Sequence, residues 1–130
     1  MSRRIAVIDD EVVFLDMMHE LLGEEGYEPY AFPDGIAAYA RVRACMPHAI
    51  VLDIHMDRPD IGWEMLSRFR RDPALCATPV IVCSADVEAL EEHAAALQGE
   101  GYAVLPKPFD LDDLLALLDQ VTSQTSALSV

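Results

Sequence analysis

Short apolar runs alternate along this chain with stretches in which apolar residues recur every three to four positions. Residues 4–8, 48–53 ("HAIVLD") and 79–84 ("PVIVCS") are the clearest runs. Their apolar continuity predicts strands covered on both faces. Residues 27–32, "YEPYAF", predict a weaker strand, and Pro29, which cannot donate to a ladder, suits an edge. Residues 101–105 predict a fifth strand. Between the strands the period becomes helical. Phe14, Leu15, Met18, Leu21 and Leu22 mark one face of a first helix, closed by Gly23 or Gly26. Asp34-Gly35 caps a second, with Ala37, Ala38, Val42 and Cys45 on its apolar side. A third helix spans 61–71. A fourth runs from about 87 to 98 with Asp86 as N-cap. The last opens at Asp110 and carries Leu111, Leu114, Leu115, Leu118 and Val121 at helical spacing. The polar tail "TSQTSALSV" is expected to fray. Met17, Met18 and Met65 are expected in the core.

Five strand–helix units in series predict an α/β fold, a doubly wound parallel sheet with helices on both faces. The length of 130 residues suits one domain, read as 1–124 followed by a tail at 125–130, with no repeat, linker or output domain. No apolar run approaches the roughly 18 residues of a membrane span. The start "MSRRIAVIDD" lacks the apolar stretch of a signal peptide, so a cytoplasmic location is expected. Cys45, Cys76 and Cys83 are odd in number and show no CxxC spacing, which predicts packed, reduced thiols.

The formal net charge of −14 argues against nucleic-acid binding and favours cations. The acids are also placed in a pattern. The first strand runs into Asp9, Asp10 and Glu11, and the third ends on Asp53. Ligands of parallel α/β sheets bind beyond the carboxyl ends of the strands. Asp9, Asp10, Asp53, Ser84 (ending the fourth strand) and Lys107 (after the fifth) therefore converge on one edge. Three carboxylates in one crevice repel each other. An all-oxygen site of this kind suits Mg2+. With a lysine charge and a serine hydroxyl, such a site can hold a phosphoryl group on an aspartate oxygen. A single acid at a strand end is more often a solvated loop residue or a cap, so the reading rests on the five together. His19, His48 and His93 share no ligand spacing and read as solvated or packed.

"VIDDE" at 7–11, "IVLDIHM" at 50–56, "VIVCSA" at 80–85 and "PKPF" at 106–109 stand in an order and spacing that resemble the response-regulator receiver domain of two-component signalling, over essentially the whole chain. The resemblance implies a five-stranded (βα)5 sheet in the flavodoxin-like order 2-1-3-4-5. It implies Asp53 as phosphoacceptor and Mg2+ held by Asp10 and Asp53, with Asp9 in support and the backbone carbonyl of His55 completing the set. Lys107 would contact the phosphoryl group, Ser84 would hydrogen-bond it, and the Lys107-Pro108 bond would be cis. The implied partners are a histidine kinase or phosphotransfer protein and a downstream effector that reads the fourth helix, fifth strand and fifth helix. Neither nucleic acid nor membrane is among them.

Two departures stand out. Asp57 occupies a position that is usually proline, in a loop one residue longer than usual before Gly62, and Val104 stands three residues before Lys107, where the family usually has an aromatic ring. Without a ring the usual hydroxyl–aromatic coupling cannot operate, and Tyr102 is too far from the site to substitute. The alternatives are a phosphorelay intermediate and a degenerate receiver acting as a phosphorylation-independent interaction module. An Asp-nucleophile phosphatase is disfavoured because it wants a second acid two residues after the nucleophile, where this chain has His55. No GxGxxG or Walker pattern supports a nucleotide site.

Overall fold

The structure, a computed structural model, describes residues 3–54 and 60–128. Strands β1 (Arg4–Ile8), β2 (Glu28–Phe32), β3 (Ala49–Asp53), β4 (Val80–Ser84) and β5 (Ala103–Pro106) form one sheet. Their order is β2-β1-β3-β4-β5 with every neighbouring pair parallel. Parallel neighbours need crossover connections. These are α1 (Val12–Glu24), α2 (Tyr39–Cys45), α3 (Ile61–Arg71) and α4 (Val87–Gly99), with α5 (Leu111–Leu128) closing the chain. β2, with Pro29, lies at an edge as its proline requires.

Strand alternation sorts the core into two layers. Ala6, Ile8, Ile50, Leu52, Val80 and Val82 face a layer built with Val42 of α2, Met65, Leu66 and Phe69 of α3, and Leu90 and Leu97 of α4. Ile5, Val7, Ala49, Val51, Ile81 and Cys83 face the other, with Leu15, Met18 and Leu22 of α1 and Leu114 and Leu118 of α5. β1, β3 and β4 are thus covered on both sides, as their apolar continuity predicts. Each large aliphatic side chain sealed in these layers contributes about 1.5–3 kcal/mol of transfer free energy.

Several local expectations need correction. Asp34 does not cap a helix. Residues Gly35–Ala38 form a 3-10 turn before α2, and the Asp34 carboxylate pairs with Arg41 at 2.7 Å. α1 passes through Gly23 and ends at Glu24, and Gly26 takes the left-handed turn, φ 89°. Met17 is half exposed, whereas Met18 and Met65 are sealed. Cys76 is exposed, and only Cys83 of the three thiols is fully packed. α5 stays helical to Leu128, past the tail start expected at residue 125. Asp86 does cap α4, its carboxylate accepting from the Ala89 N–H at 3.1 Å.

His48 joins β1 to the segment entering β3. Its Nδ1 accepts the Arg4 N–H at 2.9 Å while its own N–H donates to the Arg4 carbonyl at 2.7 Å. Burial, with the charges of Arg4 and Arg3, holds this imidazole below its usual pKa of 6.5. The neutral ring is therefore favoured by folding. Its stabilisation is fully present above pH 6.5 and is lost as pH falls from there through the lowered folded-state value. Thermal melts between pH 7.5 and 5.5 are expected to show falling midpoints, with a shallower fall for His48→Asn. Parallel slopes for the two proteins would remove His48 from this account.

Candidate functional site

β1 delivers Asp9 and Asp10 to the carboxyl edge. The Asp9 N–H donates to the Phe32 carbonyl at 3.2 Å, extending the strand, and its Oδ1 accepts the Glu11 N–H at 2.9 Å, turning the chain into α1. β3 delivers Asp53, which lies in register with Cys83 of β4. The Ile54 N–H continues that ladder to the Cys83 carbonyl at 3.0 Å. Side-chain oxygens of Asp9, Asp10 and Asp53 all lie within 4.8 Å of one another. Asp9 and Asp53 are buried, at 1% and 5% exposure. Asp10 beside them is partly exposed.

Lys107 is placed by its backbone, whose N–H donates to the Ser84 carbonyl at 2.8 Å, just before a cis Lys107-Pro108 bond. Its ammonium lies 2.6 Å from Asp9 Oδ2 and 3.5 Å from Asp53 Oδ2. It also lies 4.0 Å from the centroid of the Phe14 ring, which packs edge-on against Phe109. Burial alone would lower the Lys107 pKa. The hydrogen bond and charge of Asp9, with Cys83 and Asp53, outweigh burial and hold it above the ordinary 10.5. The Cys83 thiol beneath the site is pushed up by burial and stays protonated. Ser84 is fully buried, and its Oγ accepts the Asp86 N–H at 2.9 Å, leaving its own proton to donate.

Among the described residues this pocket sets three carboxylates against one ammonium, a formal excess of two negative charges that a divalent cation balances. All donors are oxygens, and Asp10 is partly solvated, so an ion could keep waters on its open side. The donor set fits Mg2+. The His55 carbonyl, and the Asp57 and Arg58 loop, lie outside the described residues.

Lys107→Ala leaves the Asp9 carboxylate buried without its ammonium. Removing one partner of a buried pair costs about 3–5 kcal/mol. Urea denaturation without Mg2+ is expected to show that loss, and a difference under about 1 kcal/mol would mean the pair is only surface-like.

Of the five residues singled out by motif order, the structure brings Asp9, Asp10, Asp53 and Lys107 together, and Ser84 joins them through its carbonyl, which accepts the Lys107 N–H. Sequence reasoning missed Phe14 and Phe109, which support Lys107 and line, with Glu11, Met17, Ala85 and Pro108, a hollow of about 530 Å3 beside the acids. The signal available was their adjacency to the motifs, since Phe14 follows "DDE" by three positions and Phe109 ends "PKPF". Val104 lines a smaller hollow of about 190 Å3 with Val87, Leu90, Glu91, Ala94 and Pro106.

Fold and pocket together define a doubly wound α/β domain with an acidic pocket at the carboxyl edge of its sheet. The chain belongs to the response regulator receiver domain family, whose model matches residues 5–119. It is similar to the response regulator MprA of Mycobacterium bovis (strain BCG / Pasteur 1173P2), with 32% identity over 125 residues, covering 96% of this chain and 53% of that protein. The chain thus spans about half the length of the curated relatives it matches. The CheY-like receiver domain protein of Methanospirillum hungatei JF-1 superposes with a TM-score of 0.84 at 22% identity, over 98% of each chain. The receiver domain of sensor histidine kinase PA1611 from Pseudomonas aeruginosa PAO1, solved with a magnesium ion coordinated in its active-site cleft, gives 0.79 at 22% identity, over 95% of this chain and 99% of that one. Among the described residues no helix is long and apolar enough to cross a membrane.

Proposed function

We propose that this receiver domain is a phosphorylation switch in which Asp53 accepts a phosphoryl group from a histidine kinase, a phosphotransfer protein or a small phosphodonor. The observation that carries this reading is the meeting of Asp9, Asp10 and Asp53 within 4.8 Å, with the Lys107 ammonium 3.5 Å from Asp53. Asp10 and Asp53 would hold Mg2+, with Asp9 in support and the His55 carbonyl as a further donor. When bound, the ion supplies the positive charge that lets an anionic phosphoryl group approach three acids. The magnesium in the PA1611 receiver supports this assignment.

An Asp53 oxygen attacks phosphorus. The bond from phosphorus to the donor's imidazole nitrogen breaks, the imidazole keeps the electron pair and later takes a proton, and an aspartyl phosphate remains. Lys107 offsets charge on the transferred group, and the Ser84 hydroxyl donates to it on arrival. The acyl phosphate carries about −1.5 to −2 charge in place of the −1 of the carboxylate, and brings new acceptor oxygens. Asp86 follows Ser84 by two residues and caps α4, so the change reaches that helix first. Readout by a partner protein over α4, β5 and α5 fits the hollow at Val104. The donor fits the opposite side of the pocket, where Val12, Val13 and Met17 expose apolar surface on α1 beside Phe14 and Phe109. The domain is not read as an enzyme beyond its own phosphorylation and dephosphorylation, and the reading places it in the cytoplasm.

Intact mass of the protein incubated with a small acyl phosphate tests this. One phosphoryl group is expected with Mg2+ and almost none with a chelator, and Asp10→Ala is expected to resemble the chelated sample. No mass gain even with Mg2+ sinks the proposal and favours a phosphorylation-independent interaction module, and a gain that is independent of Mg2+ and of Asp10 sinks it as labelling outside this site.

A further inference from the structure

The acidic pocket has a counterpart of opposite sign at the far end of the sheet. Each helix leaves the carboxyl edge and runs back, so the last turns of α2 and α3 lie at the other edge. Five of the nine basic residues, Arg41, Arg43, Arg68, Arg70 and Arg71, are on these two helices. Arg41 is paired with Asp34 and Arg70 with Glu100. The other three line an open hollow of about 440 Å3 with Tyr39 and Asp72.

Asp72 is the one acid lining this hollow, and its carboxylate is fully engaged. It accepts the Tyr39 hydroxyl at 2.7 Å, the Ala74 N–H at 2.9 Å and the Arg43 Nε, which lies 3.1 Å from Oδ2 and 3.2 Å from Oδ1. Among the described residues neither Arg68 nor Arg71 enters an ion pair. The Arg68 guanidinium carbon stands over the Tyr39 ring, 4.3 Å from its centroid, and Tyr39 in turn stacks on buried Phe69 at 5.4 Å. That contact steadies the guanidinium, whose N–H groups donate no hydrogen bond among the described residues. Arg71 spends its Nε on the Ser67 carbonyl at 3.3 Å, which leaves its two terminal nitrogens. Three guanidinium groups against one carboxylate leave a formal excess of two positive charges in a chain whose net charge is −14.

We propose that the Arg43–Arg68–Arg71 hollow is a binding site for a phosphate-type dianion, either free or carried on a small organic group. Planar guanidinium forks match the oxygens of phosphate in pairs, and a tetrahedral dianion can serve two forks at once where a carboxylate serves one. The charge also balances. The rest of the molecule repels anions at long range, so affinity must come from these short contacts.

The test is an amide NMR titration of the whole 130-residue chain, free of Mg2+, with inorganic phosphate and separately with O-phosphoserine. Sodium chloride at matched ionic strength is the control. Saturable shifts are expected at residues 39–45 and 67–74, with the residues around Asp53 unmoved. Arg68→Ala/Arg71→Ala is expected to weaken binding about tenfold or more, given the strength of charge-assisted hydrogen bonds. Arg71→Ala alone, an exposed change that cannot unfold the chain, is expected to weaken it in part. Equal saturation by the two probes supports a site for the free ion, and tighter binding of O-phosphoserine supports one for a carried phosphate. Shifts that match the chloride control, that scatter over other basic residues, or that survive in the double variant mean an adventitious ion only and overturn the proposal.

Discussion

With asparagine at position 53, the chain is expected to take up no phosphoryl group from an acyl phosphate in Mg2+ while folding as well as the native protein. Asparagine keeps the shape and one carbonyl oxygen but is a far poorer nucleophile. It also removes one of three negative charges that crowd within 4.8 Å, so no loss of stability is expected from the change itself. The two outcomes are read separately, labelling by intact mass and stability by thermal melting. Labelling of Asp53→Asn at the native rate would move the acceptor to another residue, with Asp10 the first to test. A variant that neither labels nor melts cooperatively would say nothing about acceptor chemistry, so the melt is the necessary companion.

Gly62→Ala is expected to be the most damaging conservative change in the molecule. A methyl group there would lie 2.2 Å from the Ile54 carbonyl oxygen and 2.5 Å from the Ile54 Cα. These are backbone atoms of the residue after Asp53, and they are held by the ladder bond to Cys83. They cannot step aside as a flexible side-chain tip would. Overpacking of this sort costs about 3 kcal/mol or more, which for a domain of this size corresponds to roughly 10 °C in Tm. Because the strain falls beside the acceptor, slower labelling is expected as well. A melting point within about 2 °C of the native one would show that α3 can slide off β3 at little cost.

The legible part of this molecule was what local chemistry enforces. β-branched runs such as "PVIVCS" can be little else than buried strands, and acids that end such runs declare the carboxyl edge. Position and chemistry together single out Asp9, Asp10, Asp53, Ser84 and Lys107. What local chemistry leaves open was misread or missed. Met17 sits one position off the face marked by Leu15, Met18 and Leu22, and apolar character alone did not reveal that it turns outward. Asp34 has the composition of a cap, but a tight 3-10 turn and the nearby Arg41 claim it instead. The Lys107–Asp9 pair joins residues 98 positions apart in sequence, and the contact of Gly62 with Ile54 depends on how closely α3 approaches β3. Neither leaves a periodic trace.

The all-parallel sheet also sets a timetable for the growing chain. No two neighbouring strands can close through a tight turn, so each pairing waits for an intervening helix to be made. The site draws on β1, β3, β4 and the segment after β5, and its one fixed positive charge among the described residues, Lys107, is the last of its five members to leave the ribosome. Until then nothing offsets the charge that would arise on bringing the acids together, and the layer that needs Leu114 and Leu118 is open. A partly synthesised chain therefore has no finished pocket. The acidic pocket and the fold are completed together.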